Sequence, residues 1–193
     1  MTSNTMAAWL RAQSALQGSP PPLDLAALPA NPFALFTTWI HEAVDAATPE
    51  PRAATLSTVD ASGIPDARVL TLKDVDARGW AVASTRSSAK GSQLAANPVA
   101  ALSFWWQPVM RAVRVRGSVH EASAEESAAD LAARPADARA TVAPGDWVLW
   151  RIEPQSVEFW QGSPDRRHTR IMYERAGHSW KLWHTTGETK PVA

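Results

Sequence analysis

Residues 158–170 read Glu-Phe-Trp-Gln-Gly-Ser-Pro-Asp-Arg-Arg-His-Thr-Arg, with the flat aromatic Trp160 just ahead of a glycine turn. Arg166, His168 and Arg170 then alternate, so on a β-strand all three side chains point to one face. Three groups that can be cationic repel one another unless an anion or a polar ring lies between them. The pattern therefore predicts either a binding site or the charged, solvated face of an edge strand.

Upstream of this segment, β patterns follow one another with short turns between them. Val113 and Val115 alternate with arginines, which indicates a half-buried strand. The predicted strands are Ala54–Val59, Ala67–Lys73, Trp80–Ser84, Val99–Trp106, Ala112–His120 and Trp147–Trp160 (interrupted at Pro154), with a last hairpin from residues 166–173 and 178–184. We expect an α+β protein, mainly antiparallel, built on a barrel-like sheet.

Three helices are predicted around this sheet. One begins at Asn31-Pro32, with Asn as N-cap, and its buried face is expected to hold Phe33, Phe36, Ile40 and Val44. The other two begin at Ser87 or Ser88 and at the capping box Ser123–Glu126; the last ends at Arg134-Pro135, and residues 135–146 are expected to form a loop.

Composition excludes several classes of function. The 193-residue chain has 19 basic and 19 acidic residues, so its zero net charge gives no electrostatic case for nucleic acid or an anionic membrane. The absence of cysteine excludes disulfides and thiolate chemistry, and the histidines show no metal-ligand spacing. No apolar run approaches the roughly 20 residues that span a bilayer, and Met1–Ala8 lacks the features of a signal peptide. We expect a cytoplasmic protein that binds no metal.

Two further segments carry candidate anion ligands. Arg68 and Lys73 flank an apolar strand, and their odd spacing puts them on opposite faces unless a bulge intervenes. They hold different anions, or they lie at strand ends and reach water. Ser87-Ser-Ala-Lys90 opens a helix, where free N–H groups favour a phosphate, although an ordinary serine cap with an exposed lysine explains it equally.

Taken together, these motifs resemble the pyridoxamine 5'-phosphate oxidase family. The resemblance runs from about residue 31 to residue 183, and it rests on Asn31–Phe36, Arg68–Lys73, Ala89-Lys90, Ser123–Glu126, Arg134-Pro135 and Glu158–Gly162 with Arg166, His168 and Arg170. It implies a six-stranded FMN-binding split β-barrel with peripheral helices, residues 31–193, preceded by an N-terminal arm, residues 1–30. It also implies a homodimer with FMN in two clefts at the subunit interface.

The resemblance implies a role for each site residue. The FMN ligands would be Arg68, Val69, Leu70, Leu72, Ser84, Lys90, Trp160 and Arg170, with the backbone of Val69–Leu72 against the ring system. Lys73 and Arg134 would hold the substrate phosphate. Arg166 and His168 would face the substrate ring and serve as catalytic residues. The implied reaction converts pyridoxamine or pyridoxine 5'-phosphate into pyridoxal 5'-phosphate by hydride transfer to the flavin, which oxygen reoxidises.

The chain departs from the family pattern at the positions that touch phosphate. Ala89 and Ala112 replace an arginine and a glutamine expected to bind FMN, and Asp130 and Ala138 replace two hydroxyl donors to the substrate phosphate. The segment after Arg134-Pro135 is much shorter, and Thr185–Ala193 replaces the usual ending. An Asp130 side chain that points into the site would repel a phosphate, for which Arg139 is a possible substitute ligand.

These departures leave two further hypotheses beside the oxidase. One is a split-barrel flavin or deazaflavin oxidoreductase that acts on a different substrate, which the change at Asp130 and the short loop favour. The other is a non-catalytic protein that binds flavin or pyridoxal phosphate, which the missing FMN ligands favour.

Overall fold

The computed structural model describes residues 5–187. The strands in that range are β1 Ala53–Val59, β2 Pro65–Asp76, β3 Gly79–Thr85, β4 Val99–Trp106, β5 Arg111–Glu121, β6 Trp147–Gln161, β7 Thr169–Ala176 and β8 Ser179–Thr186. The α-helices are α1 Met6–Ala12, α2 Pro32–Asp45, α3 Ala89–Ala96, α4 Ala124–Ala132 and α5 Ala136–Ala140, with 3-10 turns at Leu25–Ala27 and Gln107–Val109.

The strands form one antiparallel sheet in the order β3-β2-β1-β4-β5-β6-β7-β8. An additional pairing of β3 with β6 closes the first six strands into a barrel. The last hairpin, β7 and β8, continues outward from β6. The predicted fold class, a six-stranded barrel with peripheral helices, is therefore confirmed.

Strand β6 serves both the barrel and the hairpin because it bends midway. Its first half, Trp147–Ile152, pairs with β3, whereas its second half, Ser156–Gln161, pairs with β7. At the predicted interruption, Pro154, the register with β5 shifts. A Cβ at Gly117 would overlap the Glu153 carbonyl oxygen, so only glycine fits opposite this bulge.

Helix α2 covers the barrel with an aromatic face. Asn31 caps it as predicted, accepting the Ala34 N–H at 3.0 Å. Its buried residues include Leu35, Phe36 and Trp39. The expectation that Val44 lies on this face is wrong, because the buried stripe passes through the neighbouring Ala43 and leaves Val44 52% exposed.

The segment between α1 and α2 packs on the chain's own barrel. Ser19 donates its N–H to the Pro108 carbonyl at 2.9 Å, and the Tyr173 hydroxyl donates to Pro29 at 2.9 Å. Leu23, Leu25 and Leu28 pack against the core, whereas Trp9 and Leu10 of α1 are exposed. The division into an arm and a barrel domain stays a prediction.

Residues 135–146, expected to be a loop, contain the short helix α5. The prediction was wrong over Ala136–Ala140, which is alanine-rich, and alanine has the highest intrinsic helix propensity. None of the helices within residues 5–187 is long and apolar enough to cross a membrane.

Candidate functional site

The candidate ligands fall into three clusters. The first, the Arg68 cluster, lies where β2, β3 and the start of α3 meet, and it consists of Arg68, Ser84, Ser88 and Lys90. The Arg68 guanidinium donates to Thr58 Oγ1 at 2.6 Å and to Asp66 Oδ2 at 2.6 Å, with further bonds to Gln93 and the Leu56 carbonyl. These bonds fix the guanidinium and leave its side chain 20% exposed.

Lys90 is the cation of this cluster that lacks an internal carboxylate partner among the described residues. Burial lowers its pKa, and the nearby charge of Arg68 lowers it further. It also lies in the first turn of α3, where the helix dipole disfavours a cation. Two cations beside capping Ser88 and free helix N–H groups fit a phosphate, which relieves all three costs.

The second cluster, the Trp160 cluster, lies on the sheet face turned away from the core. Its members are Trp105 of β4, Ala112 of β5, Trp160 of β6, Arg170 of β7 and His168 just before β7. The rings of Trp160 and His168 lie 4.8 Å apart, and Trp105 lies 6.1 Å from Trp160. Ala112 lies between the two tryptophans in the ladder, paired with Trp105 on one side and Trp160 on the other. Because its methyl group is small, the two indole rings form an aromatic wall that fits a flat ring.

Arg166 does not share the face on which His168 and Arg170 lie beside Trp160, so the prediction that all three alternate along one strand was wrong. Strand β7 begins only at Thr169, and Arg166 has a left-handed φ of 65° in a tight loop. Asp165 holds this loop by accepting the Ser163 hydroxyl at 2.5 Å and the Arg167 N–H at 2.9 Å. The turn chemistry of Ser-Pro-Asp overrides the alternation.

The same loop fixes the His168 ring. Its Nδ1 accepts the backbone N–H of Ser163 at 3.0 Å. A neutral imidazole that accepts at Nδ1 carries its proton on Nε2, so this bond selects one tautomer. Arg170, on the strand itself, lies 3.7 Å from the Glu158 carboxylate and is about half exposed.

The third cluster, the Asp130 cluster, joins β2 to helix α4 and the start of β6; it consists of Lys73, Asp130, Arg134 and Trp147. Lys73 Nζ lies 3.2 Å from Asp130 Oδ1, and the Trp147 indole N–H donates to Asp130 Oδ2 at 2.9 Å. The Arg134 guanidinium stacks over Trp147 at 4.2 Å. Lys73 sits at a register shift between Leu72 and Asp74, which is the bulge that the sequence left open.

One further departure from the family pattern lies next to this cluster. Ala138 is on α5, directly after the Arg134-Pro135 turn. In this structure Arg139 Nη1 donates to the carbonyls of Ala132 and Arg134 at 3.0 and 2.9 Å, and its role as a substitute phosphate ligand stays a prediction. The cluster therefore holds two cations at its centre, one of them already paired.

Of the three apolar residues predicted to line the flavin ring from β2, Val69 presents its side chain to solvent, at 67% exposure. Leu70 packs partly and Leu72 fully into the core, so they can offer only backbone atoms. Ser84 is buried, with its hydroxyl 3.1 Å from that of Ser88.

The Arg68 and Trp160 clusters lie on different strands of the barrel. Following the ladder, Arg68 on β2 lies opposite Leu56 on β1 and then Leu102 on β4. Trp105 of the Trp160 cluster is three residues farther along β4, so the two clusters are offset from each other along the sheet.

The sequence did not reveal three supporting residues: Gln93, which bonds Arg68; Trp105, which extends the aromatic wall; and Asp165, which holds the loop before β7. Only Asp165 had a visible signal, the Ser-Pro-Asp turn pattern. The other two are brought in by strand and helix packing.

Comparison with known proteins places these clusters in a family. The model of the pyridoxamine 5'-phosphate oxidase family matches residues 40–161, and that of a pyridoxine 5'-phosphate oxidase C-terminal dimerisation region matches residues 147–184. A pyridoxine/pyridoxamine 5'-phosphate oxidase of Paraburkholderia phytofirmans is 39% identical over 83% of this chain and 91% of its own. That of Paraburkholderia xenovorans is 38% identical with the same coverage.

Two solved structures share the fold. PhzG from Burkholderia lata, in complex with tetrahydrophenazine-1-carboxylic acid, has a TM-score of 0.79 and 24% identity, covering 88% of this chain and all of its own. A pyridoxamine 5'-phosphate oxidase-related, FMN-binding protein from Nostoc punctiforme has a TM-score of 0.61 and 16% identity, covering 85% of this chain and all of its own.

The closed six-stranded barrel places the chain in the class of split-barrel proteins. Within that class, the chain belongs to the pyridoxamine 5'-phosphate oxidase family.

Proposed function

We propose that this protein is an FMN-dependent oxidase that converts pyridoxamine or pyridoxine 5'-phosphate into pyridoxal 5'-phosphate. The observation that carries the proposal is Lys90, a partly buried cation held beside Arg68 at the start of α3 without a carboxylate of its own. Such an arrangement costs free energy in the free protein, and this free energy is recovered when a phosphate binds. The family and the FMN-binding structural neighbour support FMN as the phosphate's carrier.

The working site is proposed to form between two chains. The Arg68 cluster of one chain would hold the FMN phosphate, and the Trp160 cluster of the partner, with Arg170, would cover the ring system. Exposed Val69 and Trp105, 67% and 49% accessible, support this arrangement because a partner would cover both. The match to a dimerisation region in residues 147–184 supports it too. The cytoplasmic location expected from the sequence stays a prediction.

Bound FMN supplies the redox chemistry, which is acceptance of a hydride from the substrate's C4' carbon and reoxidation by oxygen to give peroxide. The chain's own residues position the substrate. Arg166 is proposed to orient the ring and stabilise developing charge, and His168 to donate a hydrogen bond from Nε2, the protonated nitrogen of its selected tautomer. Lys73 and Arg134 are proposed to lie at the substrate's 5' end.

The test is reduction of the flavin without oxygen. Pyridoxamine 5'-phosphate added anaerobically to the purified, FMN-loaded protein is expected to bleach the flavin absorbance, and admission of air to restore it with formation of hydrogen peroxide. A flavin that resists both vitamers but is bleached by NADPH would instead assign the protein to the oxidoreductases that act on another substrate.

A further inference from the structure

Asp130 gives the Lys73 ammonium a permanent anionic partner inside the protein. One carboxylate oxygen lies 3.2 Å from Lys73 Nζ, and the other accepts the Trp147 indole N–H at 2.9 Å. The pair is largely shielded from water, since the side chains of Lys73 and Asp130 are 24% and 14% exposed. An incoming anion can bind Lys73 only by displacing the Asp130 carboxylate, which Lys73 and Trp147 hold in place.

The position of Asp130 in its helix strengthens this pairing. Asp130 is in the last turn of α4, which ends at Ala132, and the helix dipole disfavours a negative charge there. The carboxylate therefore needs a cation beside it, and Lys73 at the β2 bulge supplies that cation. Neither partner can leave without stranding a poorly hydrated charge.

One cation of the cluster remains available. The Arg134 Nε is buried and has no hydrogen-bond partner among residues 5–187, while its guanidinium stacks on Trp147. Arg139 is engaged with backbone carbonyls. Within this cluster, the substrate's 5' end therefore meets one free cation, Arg134, together with the carboxylate of Asp130. If Asp130 did not pair with Lys73, the same end would meet two free cations.

We propose that Asp130 is a specificity-determining residue that removes most of the preference for a phosphorylated substrate, so that the enzyme also takes unphosphorylated pyridoxine and pyridoxamine. A phosphate dianion beside Asp130 meets a like charge in a shielded site, whereas a neutral hydroxymethyl group does not. The inference rests on the proposed function, because it concerns the substrate of the same site.

The experiment compares kcat/KM for pyridoxine 5'-phosphate and pyridoxine in the FMN-loaded protein. In the wild type the two values are expected to lie within about tenfold of each other, and Asp130→Asn is expected to raise the ratio in favour of the phosphate at least about tenfold. Asparagine keeps an oxygen for the Trp147 N–H, so the cluster should stay folded. Glu125→Gln, an exposed change on the same helix, is the matched control and should leave the ratio unchanged.

A second change tests the route through Lys73. Adding Lys73→Gln to Asp130→Asn should return the ratio to the wild-type value, because the freed ammonium is the group that the phosphate gains. A wild-type protein that prefers the phosphate by about 100-fold or more, with a ratio that Asp130→Asn leaves unchanged, overturns the inference.

Calorimetric titration separates this inference from the proposed function. Asp130→Asn should bind pyridoxal 5'-phosphate at least about tenfold more tightly than the wild type and bind pyridoxal equally well. If no vitamer reduces the flavin, the proposed function fails, but the titration still decides the role of Asp130. Equal affinity of both proteins for pyridoxal 5'-phosphate would then refute it.

Discussion

The Arg68 and Asp130 clusters both place basic side chains at the edge of the barrel, but they treat charge in opposite ways. Lys90 is held near another cation with no carboxylate of its own, and burial and Arg68 lower its pKa. Lys73 is held against Asp130 at 3.2 Å. The first arrangement is strained until an anion arrives, whereas the second is complete without one. A basic residue is thus a better sign of an anion site when no carboxylate of the same chain pairs with it.

Arg151 is a cation that is both deeply buried and paired with carboxylates, and its loss should have the largest effect on stability. Its guanidinium is 3% exposed and meets Asp74 at 2.8 Å, Glu126 at 3.0 Å and Asp76 at 3.4 Å. Arg151→Leu leaves these carboxylates without their buried cation, so the free energy of unfolding should fall by about 3–5 kcal/mol in urea titrations.

Arg78 provides the matched control for Arg151. It contacts Asp76 and Glu126 as well, but its side chain is 56% exposed. Arg78→Leu should therefore shift the urea midpoint much less than Arg151→Leu does. Equal losses for the two variants would show that burial does not distinguish structural cations from available ones.

Arg166 tests whether the loop before β7 serves catalysis alone. Arg166→Ala should lower kcat by about 100-fold or more and leave FMN affinity unchanged, because the proposed contact is with the reacting substrate and not with the phosphate. Alanine keeps the left-handed backbone as costly as before, so the loop geometry is preserved. Stopped-flow reduction of the flavin measures the first quantity, and fluorescence titration the second.

The neighbouring Arg167 supplies the control for charge alone. Its side chain is exposed, and its backbone N–H makes the bond to Asp165, so Arg167→Ala removes a positive charge without disturbing the loop. Reduction rates that fall equally in both variants, or FMN loss that parallels the rate loss, would contradict the role given to Arg166.

The fold was predictable because its signals are local. Val113 and Val115 alternate with arginines, Asn31-Pro32 and Ser123–Glu126 are complete caps, and Pro154 marks the bend of β6. Each signal is satisfied by neighbours within one element or one turn. The prediction that Val44 is buried missed by a single residue, because the buried position on α2 is the neighbouring Ala43.

The site was less predictable because its decisive contacts join distant segments. Arg68 and Lys90 could be identified as candidate ligands, but the contrast between Lys90 and Lys73 depends on where Asp130 lies. That position is set by the β2 bulge and by the packing of α4 on β6, which no local pattern encodes. Arg166 was misplaced because two plausible local signals, strand alternation and turn chemistry, compete over the same residues.

Substitution of Lys90 tests the role of a cation that has no carboxylate partner. Lys90→Met should weaken FMN binding by about 10- to 100-fold, equivalent to the loss of one charge-assisted hydrogen bond to phosphate. The same change should not destabilise the apoprotein to urea, because it removes a partly buried charge that Arg68 repels. An apoprotein weakened by more than about 1 kcal/mol, with FMN affinity intact, would show that Lys90 has a structural role after all.

The smallest effect concerns Glu126, one helical turn before Asp130 on α4. The backbone N–H of Ser123 and then the guanidinium of Arg151 hold its pKa at about 2, below its ordinary value of 4.5. A carboxyl group with a lowered pKa in the folded state stabilises the protein above its ordinary pKa, and this contribution disappears as the pH falls toward about 2. The wild type should therefore lose its stability advantage over Glu126→Gln between those two pH values, as measured by urea midpoints. A Glu126→Gln difference that is constant with pH would mean that the carboxylate acts by shape and not by charge.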